Sequence, residues 1–425
     1  MASKLITGAL IWDAAGNPAF SGDVLIEGNR VRAVSRTPGQ LAAEGADIID
    51  GTGLTLMPGM VEGHAHLSFE AVAATEDLIT PPPEEQVFAT ARGAKALLDA
   101  GFTSAYGASE AKLRLAVAVR NEVNAGRLPG PRIRAGSLEI SVTGAMGDES
   151  RIHNPRPGGP AMIVDGPEEM RKAVRLACRE GCDNIKLDVS GDPFYPNTPG
   201  HTTPMSFEEI RMAVETAHAY GRKVNAHTRS IEGSKNCIRA GVDGLFHCEY
   251  ADEELLDMME TAKDRIFVVP TVSLFHTIMH GEATSSGLTP EIGGYMGLQA
   301  LLEESAKTHT ALRKRGVRHL IGGDYGFAWS RQGTNARDLK FFVDYYGYTA
   351  EGALTCATRF GGQAMRSEDD LGTISEGALA DLLLIAGNPL EDVSIMTDAS
   401  RLVMIMKDGE IHKNTTGIAR NRAAA

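Results

Sequence analysis

Between residues 58 and 369, short apolar runs alternate with longer amphipathic ones, and that alternation points the chain towards an α/β architecture. The runs are LMPGMVEGHAH, TSAYGAS, RIRAGSL, NIKLDVS, KVNAHT, GLFHCE, IFVVPTVS and HLIGGDYG. Patterns of helical period lie between them, among them EEQVFATARGAKALLDAG and LQALLEESAKTHTALRKRG. Gly101, Gly181, Gly221, Gly241 and Gly316 stand where such helices should stop. Eight extended runs alternating with helices predict a (β/α)8 TIM-like barrel over 58–369. A doubly wound open sheet is the competitor, but no Gly-rich dinucleotide fingerprint follows the first run. The ends differ in character: residues 1–57 and 370–425 read as short strands joined by tight turns such as Gly28-Asn29 and Asp408-Gly409. They are predicted to pair into one small, discontinuous β-sandwich domain beside the barrel.

A formal net charge of −13 argues against nucleic acid or an anionic membrane as partner, since either would repel the average surface. No apolar stretch approaches the roughly 20 residues of a membrane span. The first residues lack a sustained apolar core, and Asp13 interrupts the best candidate, so a cytoplasmic location is expected. Cys178, Cys182, Cys237, Cys248 and Cys356 are too scattered for a disulfide framework and read as packed, reduced thiols. The aromatic run Phe341-Phe342 with Tyr345-Tyr346 has helical period and reads as core or as a subunit contact, consistent with a homo-oligomer.

The unusual polar residues fall at the ends of the extended runs. His64 and His66 close the first; two apart in an extended chain, they share a face. Lys186 lies in the fourth run, His227 ends the fifth, His247 the sixth and Asp324 the eighth. In a parallel barrel all of these reach the C-terminal mouth, where active sites of that fold are built. Singly, each has a plain alternative: a packed histidine, a lysine snorkelling out of a core, or an aspartate capping a helix. Jointly they predict a metal site for a small-molecule substrate.

This order of His-X-His, Lys, His, His and Asp resembles the amidohydrolase superfamily, and the resemblance runs over essentially the whole chain. PGMVEGHAH is similar to that family's first-strand motif, and LGTISEGALADLLLIAGNPLED to its return into the small domain. AGVDGLFHCEYADEELLDMM and PRIRAGSLEISVTGAMGD look most like the branch holding imidazolonepropionase-like proteins, metal-dependent prolidases, related carboxypeptidases and ochratoxin-type amide hydrolases. The resemblance implies two divalent ions, expected to be Zn2+, one held by His64, His66 and Asp324 and the other by His227 and His247. It also implies that Lys186 bridges them after carboxylation by CO2, because an ammonium repels a cation. A metal-bridged hydroxide would be the nucleophile, with Asp324 as general base and then acid, in cleavage of an amide or related C–N bond. N-acyl amino acids, dipeptide-like compounds and aryl amides are the substrates so implied. A deaminase or a cyclic imide or urea hydrolase is the alternative, against which Lys186 counts, because deaminases of this superfamily normally lack the bridging lysine. A non-catalytic scaffold is more remote, since all six ligand positions are present.

Several positions depart from the pattern. Glu62 stands two before His64 in place of an aspartate and is expected to support rather than ligate. Thr143-Gly144-Ala145-Met146-Gly147 replaces T-G-G-H-G, putting Met146 where relatives offer a substrate contact. Arg229 replaces a tyrosine two residues after His227; it would clamp a substrate carboxylate or, on the plain reading, form a salt bridge. His276 and His280 are candidate pocket residues, and the loop 188–205 reads as a lid bringing Phe194 and Tyr195 over the mouth.

Overall fold

The computed structural model describes residues 3–41, 45–150, 152–153, 159–366, 370–416 and 419–420. The boundary expected at 369/370 has its first residue outside the described ones.

The middle of the chain is α/β with parallel sheets. One sheet orders the strands Met162–Ile163, Gly136–Ser141, Asn184–Asp188, Lys223–Thr228, Gly244–His247 and Phe267–Val269. A second orders Met60–Ala65, Phe102–Gly107 and Arg132–Arg134. The strands are buried through almost their whole length, which is why they read as continuous apolar runs rather than as alternation.

Between them run helices whose limits follow from local chemistry. Pro167 opens Pro167–Arg179, which buries Met170, Ala173, Val174, Ala177 and Cys178 along one face. Ser206 and Glu209 form a reciprocal capping box at the start of Phe207–Ala219. Ile231–Ala240 ends on Gly241 at φ +94°, a left-handed position that favours glycine.

Two runs behave differently from expectation. RIRAGSL changes partner at Ala135: its first half pairs with Phe102–Gly107 and its second with Asn184–Asp188. The eighth run, HLIGGDYG, forms a bridge through His319 but no regular strand, because Gly322-Gly323 and a left-handed Asp324 (φ +61°) break the ladder. It is nonetheless tied on both sides, by Leu320 N–H to Val268 O (2.9 Å) and by Gly63 N–H to Ile321 O (2.8 Å). Gly63 permits that approach, since a Cβ there would lie 2.6 Å from the same carbonyl.

Strands from both ends of the chain share one further sheet. Ser3–Ile11 pairs antiparallel with Phe20–Glu27 and parallel with Thr55–Pro58. Thr55–Pro58 is joined in turn by Leu382–Ile385, then Leu402–Lys407 and Glu410–Asn414. Its own core includes Ile6, Val24, Leu56, Leu384 and Met404. All five cysteines are free and buried. Phe341, Phe342 and Tyr346 pack into the main core, and no helix among the described residues is long and apolar enough to cross a membrane.

Candidate metal centre

The parallel register brings the ends of successive strands to one level: Asp188 lies beside His227, and Thr228 beside His247. His64 and His66 leave the first strand on its shared face. Asp324 Oδ1 lies 3.0 Å from His66 Nε2 and 3.8 Å from His64 Nε2. The donor atoms of these three residues all fall within 4.8 Å of one another. The left-handed turn that delivers Asp324 depends on Gly323, where a Cβ would collide with Tyr325, Asp338 and Ser273.

The other three expected residues reach the same mouth. The rings of His227 and His247 are 4.3 Å apart, and those of His64 and His247 5.5 Å. Lys186 is buried, its Nζ 5.4 Å from the Phe246 ring against which His64 stacks.

Hydrogen bonds at the far ring nitrogens prepare these imidazoles as ligands. His66 Nδ1–H donates to the carbonyl of Ser109 (2.9 Å), which leaves the Nε2 lone pair facing Asp324. His227 donates from Nε2 to the carbonyl of Gly191 (3.0 Å), leaving Nδ1 free. His247 Nδ1 contacts the Thr271 hydroxyl at 2.5 Å. Burial pushes His64 and His247 well below the usual histidine range and His227 down to about 3. All three are therefore neutral near pH 7, the form that binds cations. Burial works to raise Asp324, but His64, His66 and Lys186 outweigh it and hold the carboxylate well below its ordinary range. Neutral imidazoles beside an ionised carboxylate fit a divalent ion of borderline softness.

Glu62 accepts from the His64 amide (3.1 Å) and from the Asn335 side chain (2.9 Å). Burial, aided by Asp338, pushes it up to about 8. It braces the first strand from behind.

A buried chain that sequence reasoning missed supports His247. His309 donates from Nε2 to the His247 carbonyl (2.8 Å), and its Nδ1 accepts from His319 Nε2–H (3.2 Å). His319 Nδ1 in turn accepts from the Tyr348 hydroxyl (2.8 Å). A carbonyl can only accept, so with both histidines neutral the direction of every proton follows. The chain holds backbone that is left-handed at both His247 (φ +75°) and Cys248 (φ +55°). His309→Leu should lower stability by about 1–3 kcal/mol, because it leaves the His247 carbonyl and His319 unpaired. His309→Gln, which keeps an amide donor, should lose less; thermal melts of the two variants compare them.

The same pair predicts acid sensitivity. Burial lowers His309 from 6.5 to about 3 and pushes His319 well below 6.5. Between those values the unfolded chain binds protons that the native state refuses, so stability falls as pH drops below about 6.5. Each such group costs about 1.4 kcal/mol per pH unit over that window. Melts of metal-free protein from pH 7 to pH 4 should show a steep fall, shallower in His309→Gln.

His64, His66, Lys186, His227, His247 and Asp324 line a cavity of about 270 Å³ whose remaining wall is aliphatic, aromatic and acidic. Phe69, Phe194, Tyr195, Phe327 and Trp329 supply the rings, Glu139, Glu149 and Asp192 the carboxylates, and Met146 also borders it. The segment 188–205 thus does bring Phe194 and Tyr195 to the mouth, and the Tyr195 hydroxyl donates to Glu149 (3.5 Å).

Two expected substrate contacts are corrected. Arg229 is fully buried and does not face this cavity: Nε donates to Asp192 (2.8 Å) and Nη1 to Glu249, while the guanidinium stacks on Phe275. Burial opposes its charge, but Glu249 and Asp192 outweigh that opposition. It is a buried salt bridge, not a free clamp. His276 sits on Val272–Met279 but turns outward, stacking on His280 and bonding the Tyr345 hydroxyl (2.8 Å). The helix presents its apolar side inward, so neither histidine borders the cavity.

Comparison with known proteins agrees with this geometry. Residues 55–412 match the amidohydrolase family. Ochratoxinase from Aspergillus niger is 30% identical over 382 residues, covering 84% of this chain and 75% of that one. A Xaa-Pro dipeptidase with methionine bound in its active site superposes with a TM-score of 0.86 at 27% identity, covering 97% of this chain and all of the other. The solved A. niger ochratoxinase gives 0.84 at 26%, covering 97% and 96%. The chain belongs to the amidohydrolase family, in the branch that holds ochratoxinase and prolidases. It is a hydrolase acting on carbon–nitrogen bonds.

Proposed function

We propose that the protein is a binuclear metal-dependent amide hydrolase acting on small substrates of the N-acyl amino acid, dipeptide or aryl amide type. The observation that carries this is the meeting of His64, His66 and Asp324 within 4.8 Å, with Lys186, His227 and His247 at the same mouth. In this reading His64, His66 and Asp324 hold one ion, His227 and His247 the second, and a carboxylated Lys186 bridges them. Zinc suits this donor set. Divalent ions there would lower the pKa of water towards about 7 and polarise a carbonyl.

The rest falls to the chain. Asp324, ionised and anchored on a left-handed turn, takes the proton from the attacking water and returns it to the leaving nitrogen. Phe69, Phe194 and Trp329 exclude water and seat the apolar part of the substrate. We also read the bonds that tie residues 319–324 to both neighbours as closing a barrel over 58–369. Segments 1–57 and 370–425 then form the attached small domain.

Metal analysis after loading with zinc should give two ions per chain. The loaded protein should hydrolyse members of a panel of dipeptides, N-acyl amino acids, anilides and aryl ureas. One ion per chain together with release of ammonia from cyclic amidines would favour a mononuclear deaminase instead.

A further inference from the structure

The metal cavity has a neighbour of about 230 Å³, lined by Pro196 and Pro199 of the segment 188–205 and by Tyr250, Met296 and Leu301. Among the described residues, only Asp192 and Tyr195 line both spaces. These two side chains are the wall between them, and they are held very differently.

Asp192 is a fixed post. Its Oδ2 accepts from Arg229 Nε (2.8 Å) and its Oδ1 from the Phe194 amide (2.9 Å), while its own amide donates to the Thr198 carbonyl (2.9 Å). The Tyr195 backbone is fixed as well, donating to the Asp192 carbonyl (3.0 Å) and accepting from the Thr198 amide (2.9 Å). Its ring is not. The residue is half-buried, and among the described residues its hydroxyl meets only Glu149, at a distance on the outer limit of a hydrogen bond. The same Glu149 oxygen accepts the Thr75 hydroxyl at 2.5 Å. Rotation of the Tyr195 side chain to another staggered position thus breaks one weak contact and leaves Glu149 paired.

The lining of the second cavity decides what it accepts. Its cation, Arg229, is already held by Asp192 and Glu249, one positive charge against two negative ones. A carboxylate entering there meets a net negative charge, and an ammonium has to compete with Arg229 for its partners. His201 stands exposed at the rim. The prolines, Met296, Leu301 and the Tyr250 ring offer contacts to an uncharged apolar group instead.

We propose that Tyr195 is a specificity-determining partition in one longer cleft. Its ring ends the metal cavity for short substrates, and a substrate with an extended, uncharged apolar arm reaches the second cavity only past it. This rests on the amide-hydrolase reading and narrows it to the length and polarity of the arm that points towards residues 188–205.

The test compares calorimetric binding of 2-butanone and 2-nonanone to the zinc-loaded protein. Neither ketone has a C–N bond to cut, and the long chain can lie on either side of its carbonyl. Hydrolysis is followed separately with the panel of amides named above. Each methylene taken out of water is worth roughly fourfold in affinity, so joining the cavities in Tyr195→Ala should raise the long-to-short affinity ratio roughly 10- to 50-fold. Tyr195→Phe keeps the ring and should keep the wild-type ratio. Tyr195→Leu carries the test should the alanine variant fail to fold. Adding Leu301→Trp or Met296→Trp to Tyr195→Ala fills the second cavity and should bring the ratio back. An unchanged ratio in the folded variants without the ring overturns the proposal. So does an equal rise in Tyr195→Phe, or a rise that survives both tryptophan substitutions. The expected shift in a protein that cleaves none of the amides keeps the partition and tells against the hydrolase reading; cleavage with an unchanged ratio does the reverse.

Discussion

Lys186→Ala should retain at most one of two metal ions and lose at least about 100-fold in kcat/KM, the scale of the several kcal/mol that a metal supplies to a developing charge. Lys186 is buried, with its nitrogen near Phe246, so alanine there leaves a space at the centre of the mouth. It also removes the ammonium that lies about 4 Å from both Glu139 and Asp188. Some stability is therefore lost as well, and a melt must accompany the metal analysis to separate the two effects. Short carboxylic acids such as acetate or propionate can enter that space and supply the two oxygens that a carboxylated lysine would have offered. Partial recovery of metal content and turnover with such an additive is the expected signature of a bridge. Wild-type turnover in Lys186→Ala without any additive would end the bridging role. His64→Ala and His247→Ala, on opposite sides of the site, should each be defective in metal content by the same logic.

The residues that were legible in the sequence share one property: their position within a strand decides what they can reach. His64 and His66, two apart, could only share a face; Lys186 lay inside the fourth apolar run, and His227, His247 and Asp324 each closed one. The ends of the chain announced β-structure through turn residues. Their pairing was less legible, because joining Thr55–Pro58 to Leu382–Ile385 spans more than three hundred residues.

What failed to show had long-range causes. Asp188 obeyed the same two-residue rule as His66, but the apparent loop 188–205 absorbed it; the strand in fact extends to Asp188. Glu139 falls just past the run RIRAGSL, where a carboxylate reads equally well at a solvated edge; the strand in fact continues to Ser141. His309 gave no signal at all: a histidine within Leu298–Lys314 resembles any other helical polar residue until His319 and the His247 carbonyl are brought against it. His276 failed for a related reason, since only packing decides which side of a short helix faces a cavity.

Arg229 gives the other large expected effect, on stability rather than on substrate choice. Its position two residues past His227 suggested an inward-facing guanidinium available to a substrate carboxylate. Instead Asp192 and Glu249 approach it from two separate loops and take it out of reach, 1% exposed. Arg229→Met would leave both carboxylates buried without a counter-charge, a change that ordinarily costs about 3–5 kcal/mol. For a chain of 425 residues, that corresponds to a fall in Tm of about 3–6 °C. The loss would also reach the proposed ligand His227, because Asp192 Oδ2 lies only 3.9 Å from His227 Nε2 and borders the cavity. Freed from the guanidinium, Asp192 would be drawn towards His227 and compete with the Gly191 carbonyl that fixes its tautomer. Hydrolysis of a peptide with a free carboxylate and of its neutral amide should therefore fall by the same factor in Arg229→Met. Removing Glu249 together with the arginine, as Arg229→Met/Glu249→Gln, should recover part of the Tm, since fewer buried charges are then left alone. A selective loss on the carboxylate substrate at unchanged Tm would restore the clamp, and would require Asp192 and Glu249 to release Arg229 when substrate arrives.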